Sequence, residues 1–425
     1  MSRALAPPLS RETVADRDAW RNFDDALGVK DGARVSASRD DDEDARDDRR
    51  ARDAMRTQGY IILDACTSTS EDLARGKRLA TRAVALRDAG CDPTWILMSD
   101  DAWSLLARLR ARFERRESFG EGLRCTYDAL AWVVDPRVDG KKTSAFCPHR
   151  DRQPDDAPGS FTADGDAKYV TAWAPLGYDA TPRNSCLYCI PRARDPGYFD
   201  GDPDDAAEGE DPLRAALRDK ASYQYIRALP ARVGDVVAFT HRLIHWGSVG
   251  DGADGEPPRI NLSCGFASDD FEPAYLKKDP LYPTFEERLA LIAGQLLCYH
   301  ERFPSTAKEL TTLKKLFDAA RSSFHESYVK KVYKEFAAAA FERGDAAEAE
   351  ADGGDDESGD ADAVEDALEA MLDRADDFDD DFDDFEDGVA GDAFGRADDR
   401  DDDEKEEEEE DTEDAFDRKR RRRAP

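Results

Sequence analysis

The chain has 425 residues and a formal net charge of −35, with charged residues making up 37% of it. The charge is segregated: residues 345–425 hold 38 Asp and Glu against 10 Lys and Arg, a net −28 that leaves −7 for residues 1–344. A terminal segment so acidic and so poor in large apolar side chains cannot offset its chain entropy by burial and is expected to be disordered. The body has the composition of an ordinary globular protein, no run approaches the roughly 18 apolar residues of a membrane span, and no direct nucleic-acid binding is expected of so acidic a chain.

The N-terminal stretch lacks the apolar core of a signal peptide. Residues 9–28 have helical character, with Ser10 placed as an N-cap. Residues 36–53 are dense in Asp and Arg without an apolar face and are expected to form a solvated helix or linker. The run GYIILDA (59–65) predicts a short strand, followed by helices from about Ser70 to Gly90 and from about Asp100 to Glu117. From Leu123 to about Phe271 the texture changes to short β-rich runs separated by Gly, Pro, Asp and Asn: AWVVD, KYVTAWAPL, SCLYCIP, YIRALPA, DVVAFTHRLIHWGSV and RINLSCGFA. That alternation predicts an antiparallel barrel or sandwich. After Pro283 the apolar spacing becomes helical again.

The expected organisation is a charged helical extension (1–53), a β-rich domain (54–275), a helical C-terminal extension (276–343) and a disordered acidic tail (344–425). The eight cysteines are irregularly spaced. Cys186 and Cys189 form a C-x-x-C pair, but residues three apart on a strand face opposite ways. All eight are expected to be reduced thiols, most of them in the core.

Three segments carry chemistry. In CPHRDRQ, His149 and Asp151 are two apart and share one face of an extended chain. An imidazole and a carboxylate together suit a divalent metal. In GDVVAFTHRLIHWGS, His245 follows Asp235 by ten residues; His241, four residues earlier, would share its face on a straight strand and is the alternative distal ligand. In PRINLSCGFA, Arg259 opens a strand with one polar face, and an arginine directed into a barrel calls for an anion. Trp173 is a candidate cavity residue or a core tryptophan. His300 and His325 lie in helical sequence, where a lone histidine is expected to be structural.

The ordered combination of H-x-D, Gly-Asp, a histidine ten residues beyond that Asp, and an arginine on the next strand resembles the phytanoyl-CoA dioxygenase-like family of Fe(II)/2-oxoglutarate-dependent oxygenases. MRTQGYIILD and YVTAWAPLGYDATPRNSCLYCIP are similar to further segments of that family, so that the resemblance spans roughly residues 50–275. It implies a double-stranded β-helix (jelly roll), with Fe(II) held by His149, Asp151 and His245. It also implies 2-oxoglutarate as cosubstrate with its distal carboxylate on Arg259, and O2 as oxidant. Ser248 and Tyr127 are further candidate cosubstrate contacts. The carboxylate of Asp151 sets the chain apart from halogenating relatives, which carry a small residue there, and implies hydroxylation of a small organic substrate with release of succinate and CO2. The segment PRARDPG departs from the family's usual ending at that place.

Two alternative readings attach to the tail: a protein-modifying oxygenase recruited to basic partners by its acidic run, or a non-catalytic interaction protein on the same fold. The basic stretch from Arg418 to Arg423 has the composition of a nuclear import signal, so the expected location is cytoplasmic or nuclear.

Overall fold

The computed structural model describes residue 15 and residues 41–115, 119–120, 122–139, 147–152, 159–199, 201, 213–247, 250, 255–300 and 305–351; of residues 41–47 and 341–351 it gives the backbone. All but one residue of the expected 9–28 helix, and the tail from residue 352, lie outside this set. Every described residue falls within one unit, Met1–Glu369.

The first described elements are helix α1 (Asp41–Gln58) and strand β1 (Tyr60–Leu63). The sequence suggested a purely solvated segment before residue 54. Instead α1 crosses that boundary and buries Asp48, Ala51 and Met55. Arg52 and Arg56 bind the carboxylate of Asp166, and Asp48 pairs with Arg112, so charge pairing does what an apolar stripe does in most helices. Helix α2 (Ser70–Asp88) starts at Thr69, whose hydroxyl accepts from the Asp72 amide; α3 (Asp100–Phe113) is capped in the same way by Ser99. Each such cap satisfies a donor that would otherwise be orphaned at a helix start.

The β core comprises β2 (Arg124–Val134), β3 (Tyr169–Pro175), β4 (Leu187–Cys189), β5 (Arg227–Leu229), β6 (Val236–Thr240), β7 (His245–Gly247) and β8 (Arg259–Ala267). These strands and β1 form two antiparallel sheets, one of order β1-β6-β3-β8-β2 and one of order β5-β4-β7. Trp173, Val237 and Phe239 of the first sheet meet Leu187 and Cys189 of the second, and Cys186 just before it, in a shared apolar core, which explains the C-x-x-C pair as packing. None of the eight cysteines forms a disulfide. Helices α2 and α3, the 3-10 turn Pro93–Met98 and helix α4 (Phe285–Cys298) cover the outer face of the large sheet. β6 is buried along its whole length, and β8 everywhere except at Ser263.

Helix α5 (Ala307–Asp318) and helix α6 (Glu326–Ala351) follow; full capping boxes start α4 at Thr284 and α5 at Thr306. The C-terminal helices are joined to the core: the Tyr328 hydroxyl reaches Gln295, and Gln295 donates to Asp128 on β2 at 2.6 Å. Among the described residues no helix is long and apolar enough to cross a membrane.

Candidate metal centre and cavity

β6 ends at Thr240, and the chain turns through residues 241–244 before β7 begins at His245 in the other sheet. His245 is then paired on both sides, with Cys189 of β4 and with His149. The pairing with His149 is reciprocal: each backbone amide donates to the other's carbonyl, at 3.0 and 3.1 Å. That antiparallel bridge sets the two imidazoles side by side, with ring centroids 4.3 Å apart. Asp151, two residues on from His149, comes to the same point. The three groups each offer one ligand atom, all within 4.8 Å of one another.

The tautomers follow from the backbone. His149 Nδ1 lies 2.8 Å from the Cys147 carbonyl, and His245 Nδ1 lies 3.0 Å from the Leu243 carbonyl. A carbonyl only accepts, so in the neutral rings each Nδ1 carries the proton and each Nε2 presents its lone pair. Both Nε2 atoms lie 3.6 Å from Asp151 Oδ1. The other carboxylate oxygen accepts a 2.6 Å hydrogen bond from Thr171. Burial would push the Asp151 carboxyl up; the neighbouring imidazoles and the Thr171 hydroxyl outweigh it and hold it well below the usual carboxylate range. Burial, aided by His149, pushes the His245 imidazole down to about 4, while for His149 the bond to Asp151 overcomes burial and raises it. Two imidazole nitrogens and one ionised carboxylate, each oriented through its far side, form a donor set suited to a first-row divalent ion such as Fe(II).

These residues line a cavity of about 280 Å³ between the two sheets. Arg259, 1% exposed, is also in its wall. Its Nη1 donates to Asn261, its guanidinium lies 5.7 Å from the Trp173 ring centroid, and its Nε and Nη2 have no hydrogen-bond partner among the described residues. The Asn261 Nδ2 is likewise unpartnered. Burial lowers the guanidinium to about 10, and Cys186, the one neighbour that opposes this, is itself pushed up by burial to about 11 and is neutral. A buried cation with two idle donors has the character of an anion site.

The structure separates the remaining sequence candidates. Trp173 lines the cavity. His241 does not join the metal cluster: its Nδ1 lies 3.0 Å from the Tyr169 carbonyl and its ring packs between Phe161 and Phe271. Tyr127 is not a cavity residue. The cavity face of β2 carries Asp128, Leu130 and Trp132, whereas Tyr127, in the irregular stretch between Cys125 and Ala129 and with φ of 66°, sends its hydroxyl to Asp279 and the Pro280 carbonyl. Ser248 lies outside the described residues. His300 is buried in helical surroundings, and His325 Nδ1 meets the Ser327 hydroxyl at the start of α6. Sequence reasoning did not single out Asp128, Thr171, Tyr169 or Tyr299, all of which line the cavity. Thr171 and Tyr169 were within reach of it, because they share the strand face of Trp173.

No family model matches the chain, and no curated protein matches it. Solved structures with similarity to it include the non-haem alpha-ketoglutarate-dependent epimerase SnoN from nogalamycin biosynthesis, at 18% identity over 54% of this chain and 84% of that one, with a TM-score of 0.38. AviO1 from Streptomyces viridochromogenes Tue57 is 18% identical over 56% of this chain and 100% of its own, TM-score 0.38. EctD from S. alaskensis, solved with 2-oxoglutarate and 5-hydroxyectoine, is 18% identical over 56% and 82%, TM-score 0.37.

Proposed function

We propose that the chain is a non-haem Fe(II)- and 2-oxoglutarate-dependent oxygenase that hydroxylates a small organic substrate, and that its two antiparallel sheets are the halves of a double-stranded β-helix. One observation carries this reading: the His149–Asp151–His245 cluster shares a cavity with a buried arginine that has unused donors. A metal site alone would need no such arginine, and an anion site alone would need no such triad.

When bound, the iron would supply O2 activation coupled to decarboxylation of 2-oxoglutarate to succinate. The protein's part is positional. His149, Asp151 and His245 would hold the metal. Thr171 fixes the rotation of the Asp151 carboxylate. Arg259 clamps the distal carboxylate of 2-oxoglutarate, with Trp173 packed against the guanidinium. Phe239, Trp173 and Leu187 keep the reacting space dry, which strengthens every charge interaction inside it.

The test is paired. Full-length protein loaded anaerobically should bind one Fe(II) and, in air, release succinate from 2-oxoglutarate. His149→Ala, Asp151→Ala and His245→Ala should each lose most of the iron, and His241→Ala should keep it. Iron retained by all three triad variants would refute the assignment, and iron lost from His241→Ala but kept by His245→Ala would reassign the distal ligand.

A further inference from the structure

The strand register orders the cavity from end to end. On β3, Trp173, Thr171 and Tyr169 share one face, with Trp173 opposite Ser263 and Thr171 opposite Gly265 on β8. On β2, Leu130 is opposite Ser263, and Asp128 lies one step further along the same cavity face. Arg259 and Trp173 therefore stand at one end, Thr171 with Asp151 in the middle, and Tyr169 with Asp128 at the other end, about 13 Å of strand from Trp173 at roughly 3.3 Å per residue. Tyr299, following α4, joins that far end.

The far end has a distinct chemistry. The Tyr299 hydroxyl donates to Asp128 Oδ2 at 3.0 Å, and the Tyr169 hydroxyl donates to the same oxygen at 3.3 Å. Gln295 donates to Oδ1 at 2.6 Å. Burial would raise the Asp128 carboxyl, but Lys331, Arg152 and these donors prevail and hold it ionised. Burial and the Asp128 charge keep both phenols protonated. The Ser263 hydroxyl is spent on the Leu130 carbonyl and the Thr171 hydroxyl on Asp151. Arg152, the nearby cation, is committed to Glu272, at 2.8 and 3.1 Å, to the Asp151 carbonyl and, at 3.5 Å, to Asp128 Oδ2. Each of these four hydroxyls has its proton engaged within the protein, so what it offers the cavity is a lone pair. Gly265 makes the arrangement sterically possible: a Cβ there would lie 2.1 Å from the Tyr169 hydroxyl oxygen.

We infer that the Asp128–Tyr169–Tyr299 end of the cavity is the primary-substrate subsite, and that it recognises a hydrogen-bond donor, a hydroxyl or an ammonium, on a compact and otherwise apolar molecule. This rests on the cosubstrate reading in one respect: Arg259 must claim the anion at the opposite end, so that the acceptor end is left for the second reactant. The apolar part follows from Leu130, Trp132 and Phe239 in the wall. The size follows from the cavity, which at about 280 Å³ lies below the roughly 300–1,000 Å³ usual for drug-sized ligands and must hold the cosubstrate as well. Carboxylates and phosphates are selected against at this end, since they would face lone pairs and an ionised Asp128.

Fluorine NMR of three matched probes, para-fluorobenzyl alcohol, para-fluorobenzylamine and para-fluorobenzoate, tests this on the full-length chain. The subsite touches no metal, so metal-free protein suffices. The alcohol or the amine should bind, with affinity at least tenfold weaker in Tyr169→Phe/Tyr299→Phe and unchanged in Arg259→Met. The benzoate should show the reverse pattern. A preference for amine over alcohol would identify the Asp128 charge as the recognised feature, and equal binding would identify the neutral acceptors. Should the double variant unfold, as judged by its thermal midpoint, Tyr169→Phe alone should still weaken alcohol or amine binding severalfold. No binding of either donor probe, or binding indifferent to loss of the phenol oxygens, would overturn the inference. If Arg259→Met leaves benzoate and 2-oxoglutarate binding intact, the cosubstrate reading falls while the donor subsite is judged on its own variants.

Discussion

Arg259→Met is the most informative single change, because the structure predicts opposite effects on ligand binding and on stability. The guanidinium is fully buried, has two donors without partners, and is lowered from 12.5 to about 10 by burial. A fall of that size corresponds to roughly 3 kcal/mol against the charged form. The sign is that of a base depressed by folding: the cost is present in full at every pH below about 10 and fades as pH rises toward the unfolded value of 12.5. Methionine is of similar length and carries no charge, and replacing an uncompensated buried charge by an apolar side chain is often neutral or stabilising by about 1–4 kcal/mol. The metal-free variant should therefore be as stable as the parent or more so in urea unfolding at pH 7. Cosubstrate binding should move the other way. Losing a buried, hydrogen-bonded charge partner costs about 2–5 kcal/mol, equivalent to a roughly thirtyfold to several-thousandfold weaker 2-oxoglutarate affinity. The assay is anaerobic titration of the Fe(II)–2-oxoglutarate charge-transfer band, with iron content measured in parallel and expected to be unchanged. In the parent, 2-oxoglutarate at one hundred times its Kd should add about 2.7 kcal/mol of stability, and the variant should show less than about 1 kcal/mol at that concentration. A variant several kcal/mol less stable than the parent with unaltered 2-oxoglutarate affinity would refute the reasoning and make Arg259 a structural residue.

Three further outcomes are expected. Thr171→Val removes the donor to Asp151 Oδ2 while keeping the side-chain volume, and should weaken Fe(II) affinity about 10–100-fold without unfolding the protein; competition with a metal chelator measures it, and an unchanged affinity would show that Thr171 does not orient the ligand. Gly265→Ala forces Tyr169 away from Asp128 and should lower stability by about 1–3 kcal/mol in urea unfolding; a neutral result would mean that β3 and β8 can part without loss. Removal of residues 352–425 should leave the thermal midpoint and succinate release nearly unchanged, because that segment has too little apolar surface to fold on the body. The cut belongs after Ala351, not after Arg343, since α6 runs to Ala351; a marked fall in midpoint would show that the tail is structural.

The sequence by itself determined the local elements and two corners of the site. Short β-rich runs bounded by Gly, Pro, Asp and Asn marked the strands, and apolar residues at helical spacing marked the helices after Pro283, because these patterns are set by chain neighbours. His149 and Asp151 were legible for the same reason: residues two apart on extended chain share a face whatever the rest of the fold does. Arg259 was legible because a cation directed into a barrel has few physical justifications besides an anion. The choice between His241 and His245 was not local. A straight strand would put both on one face, but the chain turns at residues 241–244 and crosses to the second sheet, which carries His245 to His149 and leaves His241 among aromatic rings. Tyr127 is turned away from the cavity: its hydroxyl goes to Asp279, 152 residues on, a contact that sequence spacing does not reveal. Asp128 meets Gln295 and Tyr299 from 167 and 171 residues away, on a helical segment that sequence alone assigned to a separate extension. Buried polar groups must find partners wherever the fold brings them, so the far end of the cavity is decided by how the C-terminal helices pack on β2, and only the tertiary structure records that.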